Sequence, residues 1–307
     1  MGKASKRLIL RRHCAPAWVA AALLALAGNV SFAQCTYGWR DDFQLQPVDG
    51  RIFSFRTHDD GSGPALFIGG EQVHAGGVTV RSIAKWDGVS FSALADGLTG
   101  GFPTRVQTIT TWNDGSGLAL YPGGVFTAAG ETATGYIAKW DGVSWAGLGA
   151  GIGNPDVYDA TAFDDGVNNV LIAGGVFSIA GGQDISKIAQ WDGANWSDLA
   201  GGCDNIVHAT VIFDDRNGPA LYAGGYFAFC GGGLTKYVAK WDGTQWTDVG
   251  GGMNAPVVRM AVVDLGDGPA LYAGGYFTQA GGSSANGIAK WDGTQWSAMG
   301  GGLPSAN

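Results

Sequence analysis

From residue 51 onward the chain runs as short apolar stretches separated by clusters of Gly, Asp, Asn and Ser, with no helical period. Pro256 to Gly302 shows the pattern in full. Val257–Val263 is apolar and rich in β-branched residues, which predicts a strand, A. The turn cluster Asp264-Leu265-Gly266-Asp267-Gly268 ends it. Pro269–Phe277 predicts strand B, and a Gly/Ser/Asn-rich loop follows to Gly287. Ile288–Trp291 predicts strand C and Trp296–Met299 strand D, on either side of Asp292-Gly293. An Asp-Gly pair suits a two-residue turn, whose central residues need positive φ. That register sets Ala289 opposite Trp296 and makes Trp291 and Trp296 diagonal neighbours on one face.

The unit recurs. Ile288–Trp296 is matched by Ile83–Phe91, Ile137–Trp145, Ile188–Trp196 and Val238–Trp246. The triplets Trp86-Asp87-Gly88, Trp140-Asp141-Gly142, Trp191-Asp192-Gly193, Trp241-Asp242-Gly243 and Trp291-Asp292-Gly293 lie 54, 51, 50 and 50 residues apart. A fixed period of this size defines a repeat architecture, and four-stranded units of this length are propeller blades. The expectation is an all-β, five-bladed β-propeller of four-stranded antiparallel blades over residues 51–302, with a tail at 303–307. A sixth, partial blade is the alternative. Residues 34–50 precede the first blade, and Trp39 and Phe43 suggest one further strand that covers an edge or joins the last blade. Each strand B ends on a double glycine: Gly69-Gly70, Gly123-Gly124, Gly174-Gly175, Gly224-Gly225 and Gly274-Gly275. Glycine weakens a strand unless a neighbour needs the space, so bulky side chains should press there, the repeated Trp and Phe first among them.

Residues 1–33 read as a signal peptide. Lys3, Lys6, Arg7, Arg11 and Arg12 form a positive start, Ala15–Gly28 is an apolar run short of a bilayer span, and Ser31-Phe32-Ala33 suits cleavage before Gln34. Removing it takes the formal charge from −8 to −13. So acidic a chain argues against nucleic acid or an anionic membrane as partner, and no other apolar run could span a bilayer. The product is expected to be secreted, periplasmic or on the cell surface. Cys35, Cys203 and Cys230 remain, none with zinc-site spacing, beside only His58, His74 and His208. In a propeller the D–A and B–C loops share an edge, so Cys203 and Cys230 are expected to form a disulfide.

With these motifs the chain resembles kelch-type propellers, the superfamily of galactose-oxidase-like domains. Gly274-Gly275, Trp291-Asp292 and Trp296 stand in the kelch order of double glycine, aromatic-Asp pair and later tryptophan. The other units match, save Phe91 at the final aromatic of the first. The departures are Trp where kelch usually has Tyr and a tighter turn before the final Trp. The Trp-Asp-Gly-x-x-Trp unit is also similar to repeats of fungal cortical polarity markers and of exported bacterial repeat proteins. The resemblance implies a fold, and propellers host many activities. WD-repeats have a shorter period and a Gly-His, and the sialidase Asp-box separates its Asp and Gly; neither fits.

Candidate chemistry is sparse. The acidic A–B turns (Asp59-Asp60-Gly61, Asn113-Asp114-Gly115, Asp164-Asp165-Gly166, Asp214-Asp215, and Asp264 with Asp267) could hold Ca²⁺, but they lack the alternating ligand spacing of an EF-hand and Asp-Gly is a hairpin turn by default. No cofactor and no metal site is therefore expected. No copper-site cluster and no Ser/His/Asp or Cys/His arrangement stands out, so no catalytic residue is assigned. Departures from the repeat are freer to carry function. If the strand-A register of Val257, Arg259 and Ala261 faces the axial channel, Arg56, Asp159 and Arg259 are its charged lining. They form either a small polar binding site or an internal ion pair and solvated wall. The reading is an exported, non-catalytic propeller binding a protein or glycan through its loop faces. The alternative is an extracellular carbohydrate-active enzyme, a lyase or glycosidase; a third reading is a piece of a surface assembly, with Cys35 in an intermolecular bond.

Overall fold

The computed structural model describes residues 10–13, 36–39, 47–153, 155–164 and 169–303. The chain divides into two units, Met1–Pro47 and Val48–Asn307. In the first, Leu10–His13 pairs antiparallel with Thr36–Trp39. The rest of the signal segment, Phe43 and Cys35 lie outside the described residues.

The second unit is five four-stranded antiparallel sheets, each in the order A-B-C-D. Blade 1 has strands Ile52–Asp59, Pro64–Gly70, Ile83–Trp86 and Phe91–Ala93. Blade 2 has Arg105–Asn113, Leu118–Val125, Ala138–Trp140 and Trp145–Gly147. Blade 3 has Val157–Asp164, Asn169–Gly175, Ile188–Trp191 and Trp196–Asp198. Blade 4 has Val207–Asp214, Pro219–Gly225, Val238–Trp241 and Trp246–Asp248. Blade 5 has Val257–Asp264, Pro269–Gly275, Ile288–Trp291 and Trp296–Ala298. The fold is a five-bladed β-propeller of four-stranded blades. Each B–C loop also carries a two-residue hairpin, such as Gln279–Ala280 with Ser283–Ser284.

The C–D turn differs from its sequence reading. Trp291 sits directly opposite Trp296 and Ala289 opposite Ala298, so the loop holds four residues rather than two. The cause is the Asp292 side chain. Its Oδ1 accepts the amides of Thr294 (2.8 Å) and Gln295 (2.9 Å), closing a local turn that a two-residue loop could not contain. The rings then pack tilted at 45°, with centroids 5.3 Å apart. Asp87, Asp141, Asp192 and Asp242 do the same in the other blades.

The double glycines also have a different neighbour from the one expected. A methyl group on the first glycine would collide with a strand-A valine of the next blade: Val106 at Gly69, Val157 at Gly123, Val207 at Gly174 and Val257 at Gly224. A methyl on the second would strike the carbonyl just before strand A of its own blade, or in blade 2 that of its first residue, Arg105, and only at the second glycine do aromatics, Phe177 and Phe227, come near. Strand A bulges at this point in every blade, slipping register between Val157 and Asp159 in blade 3.

Two further contacts join neighbouring blades. The D-strand indoles of Trp145, Trp196, Trp246 and Trp296 donate to the carbonyls of Leu94, Leu148, Leu199 and Val249 of the preceding blade. The turn glycines Gly142, Gly193 and Gly293 pack on Asp60, Asp114 and Asp215 in the A–B turns of that blade. The buried core is thus a series of inter-blade layers. Cys203 and Cys230 form a disulfide. They occupy the D–A loop bridge that Ile152 and Ala180, or Met253 and Ala280, make elsewhere.

Candidate binding surface

The strand-A bulge sets the site. Regular alternation would put Val157, Asp159 and Thr161 on one face, but the extra residue breaks the alternation after Val157 and turns Tyr158 outward. The equivalent position in blade 4 is His208. The residue after each double glycine, Tyr226 in blade 4 and Tyr276 in blade 5, lies at the same end of its blade. Tyr158 stacks on His208 with centroids 4.5 Å apart and planes 15° from parallel. His208 lies 6.2 Å from Tyr226, and Tyr226 is 6.5 Å from Tyr276. Tyr276 is 68% exposed. Four aromatic rings thus run in a row across blades 3 to 5.

Charged groups flank the row. Arg259 Nη1 is 3.0 Å from His208 Nδ1 and also donates to the Val258 carbonyl. Burial holds the His208 imidazole below its usual 6.5, and the Arg259 charge adds to this. A neutral ring can accept the Arg259 proton at Nδ1. At the other end Arg105 Nη2 pairs with Asp156 Oδ2 at 2.8 Å. Burial pushes the Asp156 carboxyl up, with Arg105 and the Tyr158 hydroxyl opposing. Asp156 has φ of 142°, a backbone region that side chains other than glycine rarely adopt. Arg105 Nε is buried without a protein partner.

The three residues singled out by register have separate fates. Asp159 clasps three blades: Oδ1 accepts Thr108 Oγ1 of blade 2 and its own blade's Ala160 amide, and Oδ2 accepts the Thr210 amide of blade 4 at 2.8 Å. Burial raises its pKa, those hydrogen bonds opposing, and Arg259 is close enough to act on it electrostatically. Arg56 donates to Thr111 Oγ1 at 2.8 Å, and no ion pair joins it to Asp159 among the described residues. Arg259 alone belongs to the row. Tyr158 and His208 escaped the sequence reading because it carried strict alternation through the bulge, and Tyr226 and Tyr276 because the positions after the double glycines were read as part of strand B.

The acidic A–B turns are occupied from within. Asp59, Asn113, Asp214 and Asp264 each accept backbone amides two and four residues on. Asp60, Asp114 and Asp215 pair with strand-C lysines Lys85, Lys139 and Lys240. Asp165 and Gly166 lie outside the described residues. Among the described residues no three His, Cys, Asp or Glu gather as metal ligands, and no helix is long and apolar enough to cross a membrane.

No protein-family model matches the chain, and no curated protein matches it. Among solved structures it is similar to the extracellular domain of a protein described as a hybrid two-component system from B. thetaiotaomicron. The identity is 13% and the TM-score 0.40, over 85% of this chain and 35% of that one. The chain therefore spans about a third of that structure's length.

Proposed function

We propose that this chain is an exported, non-catalytic propeller of the kelch type that binds a glycan along the row Tyr158, His208, Tyr226 and Tyr276. The observation that carries the reading is the row itself, rings in series ending on an exposed Tyr276. Sugar rings present apolar C–H faces that stack on aromatic planes, and their hydroxyls accept from arginine and exchange hydrogen bonds with tyrosine. Tyrosine offers large contact area at small entropic cost because it has only two side-chain torsions. Export rests on the positive, then apolar, segment at residues 1–33, and the kelch assignment on the spacing of Gly274-Gly275, Trp291-Asp292 and Trp296.

A protein partner is the second reading, favoured by the same enrichment in Tyr and Arg that marks protein interfaces. A panel of polysaccharides and cell-surface glycans, assayed for binding and for product release, separates these readings. Binding without turnover, lost at least tenfold in Tyr276→Ala and Tyr158→Ala with the circular dichroism retained, supports glycan recognition. Turnover would bring forward a carbohydrate-active enzyme. Glycan binding unaffected by either variant would move the site elsewhere, and no glycan binding would leave the protein partner.

A further inference from the structure

The junction between blades is built four times, and half of it stands open at each end of the array. At three of the four interior junctions two strand-A residues three apart close over the first glycine of the preceding blade: Val106 and Ile109 over Gly69, Val207 and Thr210 over Gly174, Val257 and Met260 over Gly224; at Gly123, Val157 is joined by Thr108 of the glycine's own blade. In blade 1 those two positions hold Ile52 and Phe55, which are 46% and 73% exposed, whereas Val106 and Ile109 are 0% and 5%. At the far end, among the described residues, Gly274 has only the Gly287 and Arg259 carbonyls near it, about 4 Å away, and no side chain covers it. Blades pack in series from 1 to 5, and no comparable strand packing returns from blade 5 to blade 1 among the described residues.

These open faces are the two halves of one junction. Blade 1 carries a β-branched residue and a large apolar residue with no glycine beneath them. Blade 5 carries the glycine with nothing above it. Two departures from the repeat fall on these faces. Phe91 replaces the D-strand tryptophan on blade 1, and Leu265, 67% exposed, replaces the A–B aspartate on blade 5. Both substitutions remove a polar group from an open face, and exposed apolar surface of this kind marks an association site.

We propose that blade 1 of one copy docks head to tail on blade 5 of a second, with Ile52 and Phe55 seated over Gly274. The partner is a second copy because the required knob is this chain's own blade 1, with the spacing that the junctions at Gly69, Gly174 and Gly224 already use and the apolar chemistry of those at Gly69 and Gly224. The contact is heterologous, so successive copies form a ring if the rotation closes and a filament if it does not. Phe91 cannot donate the hydrogen bond that Trp296 gives Val249, so this junction is weaker than the internal ones and depends on concentration.

Sedimentation velocity of the full chain under reducing conditions, from low to high micromolar, tests the proposal. The expected result is mass growing in steps of one chain. Ile52→Asp and Gly274→Leu, both at open faces, should each abolish every species above the monomer. An equimolar mixture of the two variants should restore a dimer and nothing larger, because each keeps one sound end. In a Cys35→Ser background, oxidised Ile52→Cys/Gly274→Cys should give a ladder of multiples on a non-reducing gel. A monomer at all concentrations, a crosslink confined to one chain, or assembly indifferent to both variants would overturn it.

Discussion

Trp196 donates its indole N–H to the carbonyl of Leu148 at 2.8 Å, across the boundary between blades 3 and 2, and both residues are buried. This bond and the valine-on-glycine contact beside it make each blade depend on its neighbour. Trp196→Phe keeps a smaller aromatic ring and removes this donor, leaving the Leu148 carbonyl with the Gly151 amide at 3.0 Å. The expected loss is about 0.5–1.5 kcal/mol for the hydrogen bond, and more for the space the smaller ring leaves. The measurement is the urea midpoint, shifted at constant slope. An unchanged midpoint would mean that the indole N–H contributes nothing.

The glycines give a paired prediction. Gly123→Ala places a methyl against Val157 and Thr108, whereas Gly274→Ala, in the monomer at low concentration, places one where no side chain stands among the described residues. Overpacking a filled junction costs about 1–3 kcal/mol. A surface change away from such features usually stays within about 0.5 kcal/mol. Thermal melts of the two variants should therefore separate, Gly123→Ala falling and Gly274→Ala staying near the parent. Equal shifts would contradict the account of both glycines.

The repeat was legible because each blade spells the same local chemistry. Trp291-Asp292-Gly293 marks a hairpin, and the double glycine marks a close approach, whatever residue arrives. What the sequence hid was identity and register across blades. The residue pressing on Gly123 is Val157, 34 positions away and unremarkable in composition. A bulge has no strong signature when its extra residue is Tyr158 or His208 rather than glycine, so period-2 reading pointed to Asp159, which proves to be an inter-blade clasp. The C–D loop length was hidden similarly, since Asp292 serves a four-residue turn as well as a two-residue one.

Cys203 and Cys230 stand where other blades place an apolar bridge, so bond and packing can be separated. Cys203→Ser/Cys230→Ser should lose about 3 kcal/mol from the released unfolded chain, and more from the buried hydroxyls. Cys203→Met/Cys230→Ala copies the Met253–Ala280 bridge of blade 5 and should lose only the first part. Chemical denaturation of both variants tests this. Equal losses would show that packing at this bridge is immaterial.

Acid should unfold the protein through its turn aspartates. At Asp114 burial opposes ionisation, but Lys139 and Ser116 outweigh it and hold the carboxyl at about 2, against an ordinary 3.8. The Thr294 hydroxyl and the amides of Gln295 and Thr294 hold Asp292 at about 2. An acid whose folded pKa is depressed contributes stability above its unfolded value and loses it as pH falls through the folded one. The urea midpoint should thus drop between about pH 4 and pH 2, and Asp114→Asn should flatten that drop. The raised carboxyls Asp156 and Asp159 act oppositely, costing stability as pH rises from 3.8. A midpoint rising on acidification from pH 4 would mean that these two dominate.

The binding row should respond to pH through His208. Burial, then the Arg259 charge, lowers its pKa below 6.5, so the folded protein holds a neutral ring where the unfolded chain would begin to protonate. For a base with a depressed pKa the folded state binds fewer protons, so this site's contribution is complete above 6.5 and shrinks as pH falls. Protonation occupies Nδ1, the atom that accepts the Arg259 N–H at 3.0 Å, and sets two cations beside the Tyr158 ring. Titration followed by NMR should place His208 below 6.5. Arg259→Gln removes the charge but leaves the burial, so the His208 midpoint should rise without recovering fully. If the variant leaves the midpoint unchanged, burial alone sets it, and the coupling between Arg259 and the aromatic row is lost as an explanation. If His208 already titrates at or above 6.5 in the parent, the neutral ring assigned to the row is wrong.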